Sequence, residues 1–185
     1  MQYRQLGKWG VRISTIGLGS YLTIGMHVDD DTAAECVKVA FDGGINWIDT
    51  ANAYNRGGAE IALGKILKDY DRDDYVLATK VWAPMGDGPN DKGLSAKHIY
   101  EQCHASLKRL QTDYIDLYQC HRPDADTPLE ETIRTMEDLA RQGKILYWGL
   151  SEWPAELIQE ACDLAYALGC RPPACNQPRY SLMYR

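Results

Sequence analysis

Tyr75-Val76-Leu77-Ala78-Thr79-Lys80 is a short apolar run that ends in a lysine. Upstream, Asn46-Trp47-Ile48 is followed by Asp49; downstream, residues 114–120 run to Gln119-Cys120 and are followed by His121. Each of these polar residues has an ordinary explanation by itself. Asp49 before Thr50 suits a loop or a helix cap, Lys80 a solvated strand end, and His121 before Arg122-Pro123 the start of a turn. Those explanations do not account for an acid, an amine and an imidazole closing three successive apolar segments. Neighbouring strands lie about 4.8 Å apart, so three adjacent strand ends bring such groups within roughly 10 Å. Tyr54, in the loop just after Asp49, folds over the same point.

Working outward, apolar and β-branched runs predict strands over 15–19, 46–48, 75–80, 114–120, 145–150 and 173–176. Amphipathic patterns predict helices over 31–42, 59–68, 95–110, 129–142 and 154–168. Ser95 can cap its helix, Pro154 suits a first helical position, and Gly43-Gly44 and Gly143 stop theirs. Ile99, Cys103, Leu107 and Leu110 share one helical face, as do Ile133, Met136, Leu139 and Ala140. These stripes face a core rather than a ligand. Strand starts recur about every 30 residues, with one longer interval, which is the size of a βα unit. Ahead of the first unit, residues 3–6 and 11–14 flank Gly7-Lys8-Trp9-Gly10 and read as a β-hairpin.

Alternating strands and helices imply an α/β fold with a parallel sheet. A doubly wound sheet would carry G-x-G-x-x-G after its first strand, whereas Gly17-Leu18-Gly19-Ser20-Tyr21-Leu22 lacks the third glycine. A (β/α)8 TIM barrel gathers reactive side chains at the C-terminal ends of successive strands, as Asp49, Lys80 and His121 are placed. The expectation is a single barrel domain over 1–185, with an N-terminal hairpin and only the first six βα units. Such a barrel takes about 250 residues, so the domain is expected to be C-terminally incomplete. Its open edges would be covered by a separately supplied segment or by other chains in a homo-oligomer; otherwise the chain is a catalytically silent fragment.

An apolar content of 45% suffices for an ordinary core. No apolar run approaches the roughly 20 residues that span a bilayer, so no membrane insertion is expected. Met1-Gln2-Tyr3-Arg4 lacks the apolar stretch of a secretory signal, and a cytoplasmic location is expected. A net charge of −6 with scattered Lys and Arg argues against a nucleic-acid partner. Cys36, Cys103, Cys120, Cys162, Cys170 and Cys175 show no C-x-x-C spacing; buried, reduced thiols are expected, and no metal site.

Gly17-Leu18-Gly19, the run from Asn46 through Asp49-Thr50-Ala51-Asn52-Ala53-Tyr54, Ala78-Thr79-Lys80 and His121-Arg122-Pro123-Asp124 together resemble the aldo-keto reductase superfamily. Asp116-Leu117-Tyr118, Thr127-Pro128-Leu129-Glu130-Glu131 and Gly143-Lys144-Ile145 fit the same pattern. Tyr147-Trp148-Gly149-Leu150-Ser151-Glu152-Trp153 and Asn176-Gln177-Pro178-Arg179-Tyr180-Ser181-Leu182 are most similar to one branch. That branch holds potassium-channel β-subunits and related bacterial aldehyde reductases.

The resemblance implies an NADP(H)-dependent reductase of aldehyde or ketone carbonyls with the tetrad Asp49, Tyr54, Lys80 and His121. Hydride transfer leaves charge on the carbonyl oxygen that a proton must meet. A free tyrosine, with a pKa of about 10, is a reluctant donor. Lys80, held by Asp49, is expected to lower that pKa, while His121 orients the carbonyl. The resemblance also implies cofactor contacts from Gly19, Ser20, Tyr21, Asp49, Ser151 and Gln177. Glu152 stands where Asn or Arg is usual, and its carboxylate could accept the carboxamide N–H. Trp82 is expected either to line the substrate pocket or simply to pack, and the loop 84–93 to shape specificity. The alternative reading is a nicotinamide-sensing regulatory β-subunit of a membrane channel. His121 favours the enzyme, since channel β-subunits typically carry Asn there.

Overall fold

A computed structural model describes residues 1–184. The chain opens with a hairpin of β1 (Tyr3–Gln5) and β2 (Arg12–Ser14), paired antiparallel with Tyr3 opposite Ser14. Then follow β3 (Leu18–Gly19), α1 (Asp30–Asp42), β4 (Trp47–Asp49), α2 (Gly58–Ile66), β5 (Val76–Val81) and α3 (Ala96–Leu110). The series continues with β6 (Ile115–Cys120), α4 (Leu129–Arg141), β7 (Ile145–Ser151), α5 (Ala155–Ala167) and β8 (Asn176–Gln177).

Strands β3 to β8 form one parallel sheet whose spatial order is their sequence order. A doubly wound sheet reverses its strand order part-way. This one never does, so it is the first part of a (β/α)8 barrel, with the hairpin outside it. The predicted first strand shrinks to Leu18–Gly19, and the last, expected over 173–176, is displaced to Asn176–Gln177. Lys80 is the penultimate residue of its strand rather than the last. Pro154 is the cap of α5, which starts at Ala155.

Alternation along the strands sorts the side chains. Leu117 and Ala78 cluster with Leu6 of the hairpin, and with Trp47 and Tyr147, at the bottom of the barrel interior. One or two steps further along the same strands, at the same parity, come Asp49, Lys80, Gln119 and Ser151. The interior is therefore apolar below and polar above. Residues of opposite parity pack outward: Ile48 and Leu77 against α1 and α2, and Tyr118, Cys120, Trp148 and Leu150 against the later helices.

Both predicted helical stripes are buried. Ser95 caps α3 by accepting the His98 N–H at 3.3 Å, and Asp29 caps α1 by accepting the Thr32 N–H at 2.7 Å. Helices α2 and α3 approach so closely that a Cβ on Gly64 would sit 2.3 Å from the Arg109 carbonyl oxygen. Beside this contact the Glu60 carboxylate, fully buried, accepts Thr79 Oγ1–H and Arg109 Nε–H, each at 2.6 Å. Only Cys103 and Cys120 match the expected buried thiols. Cys36 lies on the solvent face of α1, and Cys162, Cys170 and Cys175 are half-buried; all six are free. Among the described residues there is no cluster able to hold a metal ion and no helix long and apolar enough to cross a membrane.

Candidate active site

Lys80 is the centre of the upper layer, with only 2% of its surface exposed. Its ammonium group donates to both Asp49 carboxylate oxygens, at 2.8 and 2.7 Å, to the Thr50 carbonyl at 2.9 Å and to Tyr54 Oη at 3.4 Å. The strand register explains the meeting. Asp49 pairs with Ala78, so Lys80 sits one same-face step above it and reaches back. Tyr54 follows β4 by five residues and returns over the strand end through a tight turn. Its ring meets that of His121 edge-on, with centroids 5.8 Å apart, and that of Tyr21 at 4.9 Å. His121 continues the β6 ladder, its N–H donating to the Val81 carbonyl at 2.9 Å.

These residues open onto a cleft of about 720 Å3 at the C-terminal ends of the strands. Burial lowers the Lys80 pKa, and the Asp49 carboxylate opposes that shift. Burial, with lesser contributions from Lys80 and Arg122, lowers His121 to about 4, so its imidazole is neutral at physiological pH. Tyr54 moves the other way from the sequence expectation. Burial first, then the Asp49 and Tyr21 charges, push its pKa well above the ordinary value. The Lys80 ammonium, gripped by the Asp49 carboxylate, does not outweigh these effects. Tyr54 is therefore fully protonated at neutral pH.

The family model for aldo/keto reductases matches residues 15–185. This chain belongs to the aldo/keto reductase family. It is 44% identical over 188 residues to a probable voltage-gated potassium channel subunit beta of Arabidopsis thaliana, and equally to one of Oryza sativa subsp. japonica. Each alignment covers 100% of this chain and 57% of the relative, so the chain spans rather more than half the length of those proteins. A crystal structure of a thermostable aldo-keto reductase with the inhibitor epalrestat superposes with a TM-score of 0.85 at 36% identity, covering 97% of this chain and 63% of that one.

Of the aldo-keto reductase positions singled out in the sequence, Tyr21, Tyr54, Lys80, Trp82, His121, Ser151, Glu152 and Gln177 line the cleft. Asp49 stands behind Lys80. Gly19 closes β3, paired with Asp49, and does not reach the cleft wall. Ser20 is buried, with its hydroxyl donating to Thr50 Oγ1 at 2.8 Å and its N–H to the Asp49 carbonyl at 3.0 Å. It braces β3 against β4. Ser151 Oγ–H donates to the Gln177 carbonyl at 3.2 Å, and Gln177 Oε1 accepts Gln119 Nε2–H at 3.3 Å. The Gln177 amide N–H groups remain for the cleft. Glu152, in a left-handed conformation with φ 59°, accepts the Arg179 N–H through one carboxylate oxygen.

The structure adds residues that the sequence reading passed over. Arg122 lines the cleft beside His121, with one guanidinium N–H on the His121 carbonyl at 2.6 Å. Its adjacency to His121 was a usable signal. Gln119 was legible too, two residues before His121 and so on the same strand face. Leu22, Met26, Asn55 and Arg179 also contribute to the walls, and only the folded loops bring them there.

Proposed function

We propose that this chain carries the catalytic half of an NADP(H)-dependent carbonyl reductase, with Tyr54 as proton donor to an aldehyde or ketone. The observation that carries the reading is Lys80 donating to Tyr54 Oη while both Asp49 oxygens hold Lys80. That leaves the phenolic O–H free to point into the cleft. The single domain over 1–185 and a cytoplasmic, homo-oligomeric setting belong to the same proposal.

The residues present fit the nicotinamide end of such a cofactor. Ser151 and Gln177 hold polar groups at the rim, and the His121 Nδ1 atom is buried without a protein partner. When bound, the reduced nicotinamide supplies two electrons and one hydrogen to the carbonyl carbon. The neutral His121 ring donates an N–H toward the carbonyl oxygen and polarises it without adding charge. Tyr54 delivers its proton to that oxygen as negative charge builds there. The phenolate left behind meets the Lys80 ammonium, already aimed at Oη, and Asp49 prevents Lys80 from swinging away. Tyr21, Trp82, Leu22 and Met26 give the substituents of the carbonyl an apolar wall to rest on.

The test is Tyr54→Phe. Loss of the general acid alone lowers turnover roughly 10² to 10⁴-fold, while nicotinamide affinity, read by fluorescence titration, stays at the wild-type value. Equal turnover in the two proteins removes Tyr54 from the chemistry. The 44% identity to proteins named as channel β-subunits favours one second reading, a regulatory subunit that binds a nicotinamide cofactor and a membrane channel. Co-purification of the chain with candidate channel cytoplasmic domains tests it.

A further inference from the structure

The turn that follows Tyr54 puts consecutive residues in the left-handed region. Asn55 (φ 49°, ψ 41°) and Arg56 (φ 50°, ψ 43°) are both left-handed, and Gly57 continues at φ 91°. Residues with a Cβ avoid this region, and asparagine tolerates it best because its side chain finds local hydrogen bonds. Consecutive non-glycine residues there persist only where surrounding contacts hold them.

The bonds inside the turn do not anchor it to the cleft. Tyr54 N–H donates to Ala51 O at 3.1 Å and Arg56 N–H to Ala53 O at 3.0 Å, both within the turn itself. The Asn55 side chain reaches outside, with its amide Nδ2 donating to the Gly25 carbonyl. Gly25 lies in the β3–α1 loop, the loop that carries Tyr21, Leu22 and Met26 into the cleft wall. Two glycines clear the slot for this amide. A Cβ on Gly58 would sit 2.5 Å from Asn55 Nδ2, and one on Gly25 would sit 2.6 Å from the Gly58 carbonyl oxygen. Ile24 roots the middle of the loop in the core, but Tyr21 remains 62% exposed and is held mainly by its ring contact with Tyr54.

We infer that Asn55 is a positioning residue: its amide locks the Tyr54 turn to Gly25 and so fixes the Tyr54 phenol against both Lys80 and Tyr21. The inference rests on the proposed role of Tyr54 as proton donor. Asparagine serves here because it combines tolerance of the left-handed turn with a donor of the right reach. Glycine offers only the first, and aspartate presents an acceptor to another acceptor.

Asn55→Gly and Asn55→Asp are compared with wild type by two readouts. The first is NMR of ring-labelled tyrosines, with Tyr21 and Tyr54 assigned through Tyr21→Phe and Tyr54→Phe; it needs no turnover. Both Asn55 variants are expected to lose the mutual ring shifts of Tyr21 and Tyr54, while Asn55→Gly, relieved of strain, melts near wild type. The second is steady-state carbonyl reduction, where kcat falls about tenfold to a hundredfold with KM for the carbonyl little changed. Wild-type ring shifts in Asn55→Asp overturn the inference, and so do altered shifts with an unaltered kcat. The ring shifts need no turnover, so they decide whether Asn55 sets the Tyr54 geometry even where the proposed function fails.

Discussion

Replacing Asp49 by Asn keeps the shape of the side chain and removes the only carboxylate among the described residues that meets Lys80. The pair is almost dry: side-chain exposure is 2% for Lys80 and 13% for Asp49, with an N–O distance of 2.7 Å. Breaking a buried pair by removing one partner costs about 3–5 kcal/mol, because the remaining charge stays desolvated. At about 2–4 °C per kcal/mol for a chain of this size, the melting point should fall roughly 6–20 °C. Asp49→Asn with Lys80→Met removes both charges, and replacing a buried pair by uncharged groups is often near neutral. The double variant should therefore recover most of the loss, a coupling well above the roughly 0.5 kcal/mol at which distant sites are additive. Acidity gives a second arm. Lys80 already titrates below its ordinary value, and the Asp49 charge opposes that shift, so Asp49→Asn lowers it further. A lysine depressed in the fold binds protons less well there than in the unfolded chain, so stability rises with pH between the folded value and the unfolded one. The deficit of Asp49→Asn against wild type should accordingly shrink as pH rises through that window. Urea unfolding of wild type, single and double variants at neutral and alkaline pH measures all of this. Equal destabilisation of the single and double variants, at every pH, would refute the claim that the charge of Asp49 is what keeps Lys80 in place.

Two further outcomes follow from the same network of buried polar groups. His121 is depressed to about 4, so the unfolded chain takes up its proton first as pH falls. Its contribution to stability is whole above the unfolded value of about 6.5 and is lost progressively down to about 4. His121→Asn should therefore lose less stability than wild type between pH 7 and pH 5 in urea titrations, and parallel losses would contradict the assignment. Arg109→Ala leaves the fully buried Glu60 carboxylate with only Thr79 and should cost about 3–5 kcal/mol in chemical denaturation. A loss under about 1 kcal/mol would contradict a buried ion pair between Arg109 and Glu60.

Much of this protein is determined by short-range pattern. Apolar and β-branched runs marked the parallel strands, and 3.6-period spacing the helices, because a strand covered on both faces and a helix packed along one face each bury apolar side chains whatever their neighbours are. The central strands, at Val76–Val81 and Ile115–Cys120, are buried along their whole length and so read clearly as apolar runs. At the ends of the sheet the strand expected over 15–19 pairs only at Leu18–Gly19, and the one expected over 173–176 pairs later, at Asn176–Gln177, since there only the ladder itself decides where pairing starts and stops. Asp49, Lys80 and His121 were legible as a group because strand ends in a parallel sheet are forced together by the register. Tertiary structure alone decided their electrostatics. Whether Lys80 depresses Tyr54 depends on how much of its charge Asp49 absorbs and how much water the phenol loses, and neither quantity is written in residue order. The loop walls were decided the same way. Asn55 meets Gly25 across thirty residues of sequence, and Ser20 turns inward to Thr50 instead of toward the cleft. Loops have no period to read, and their side chains go where the rigid strands and helices leave space and hydrogen-bond partners.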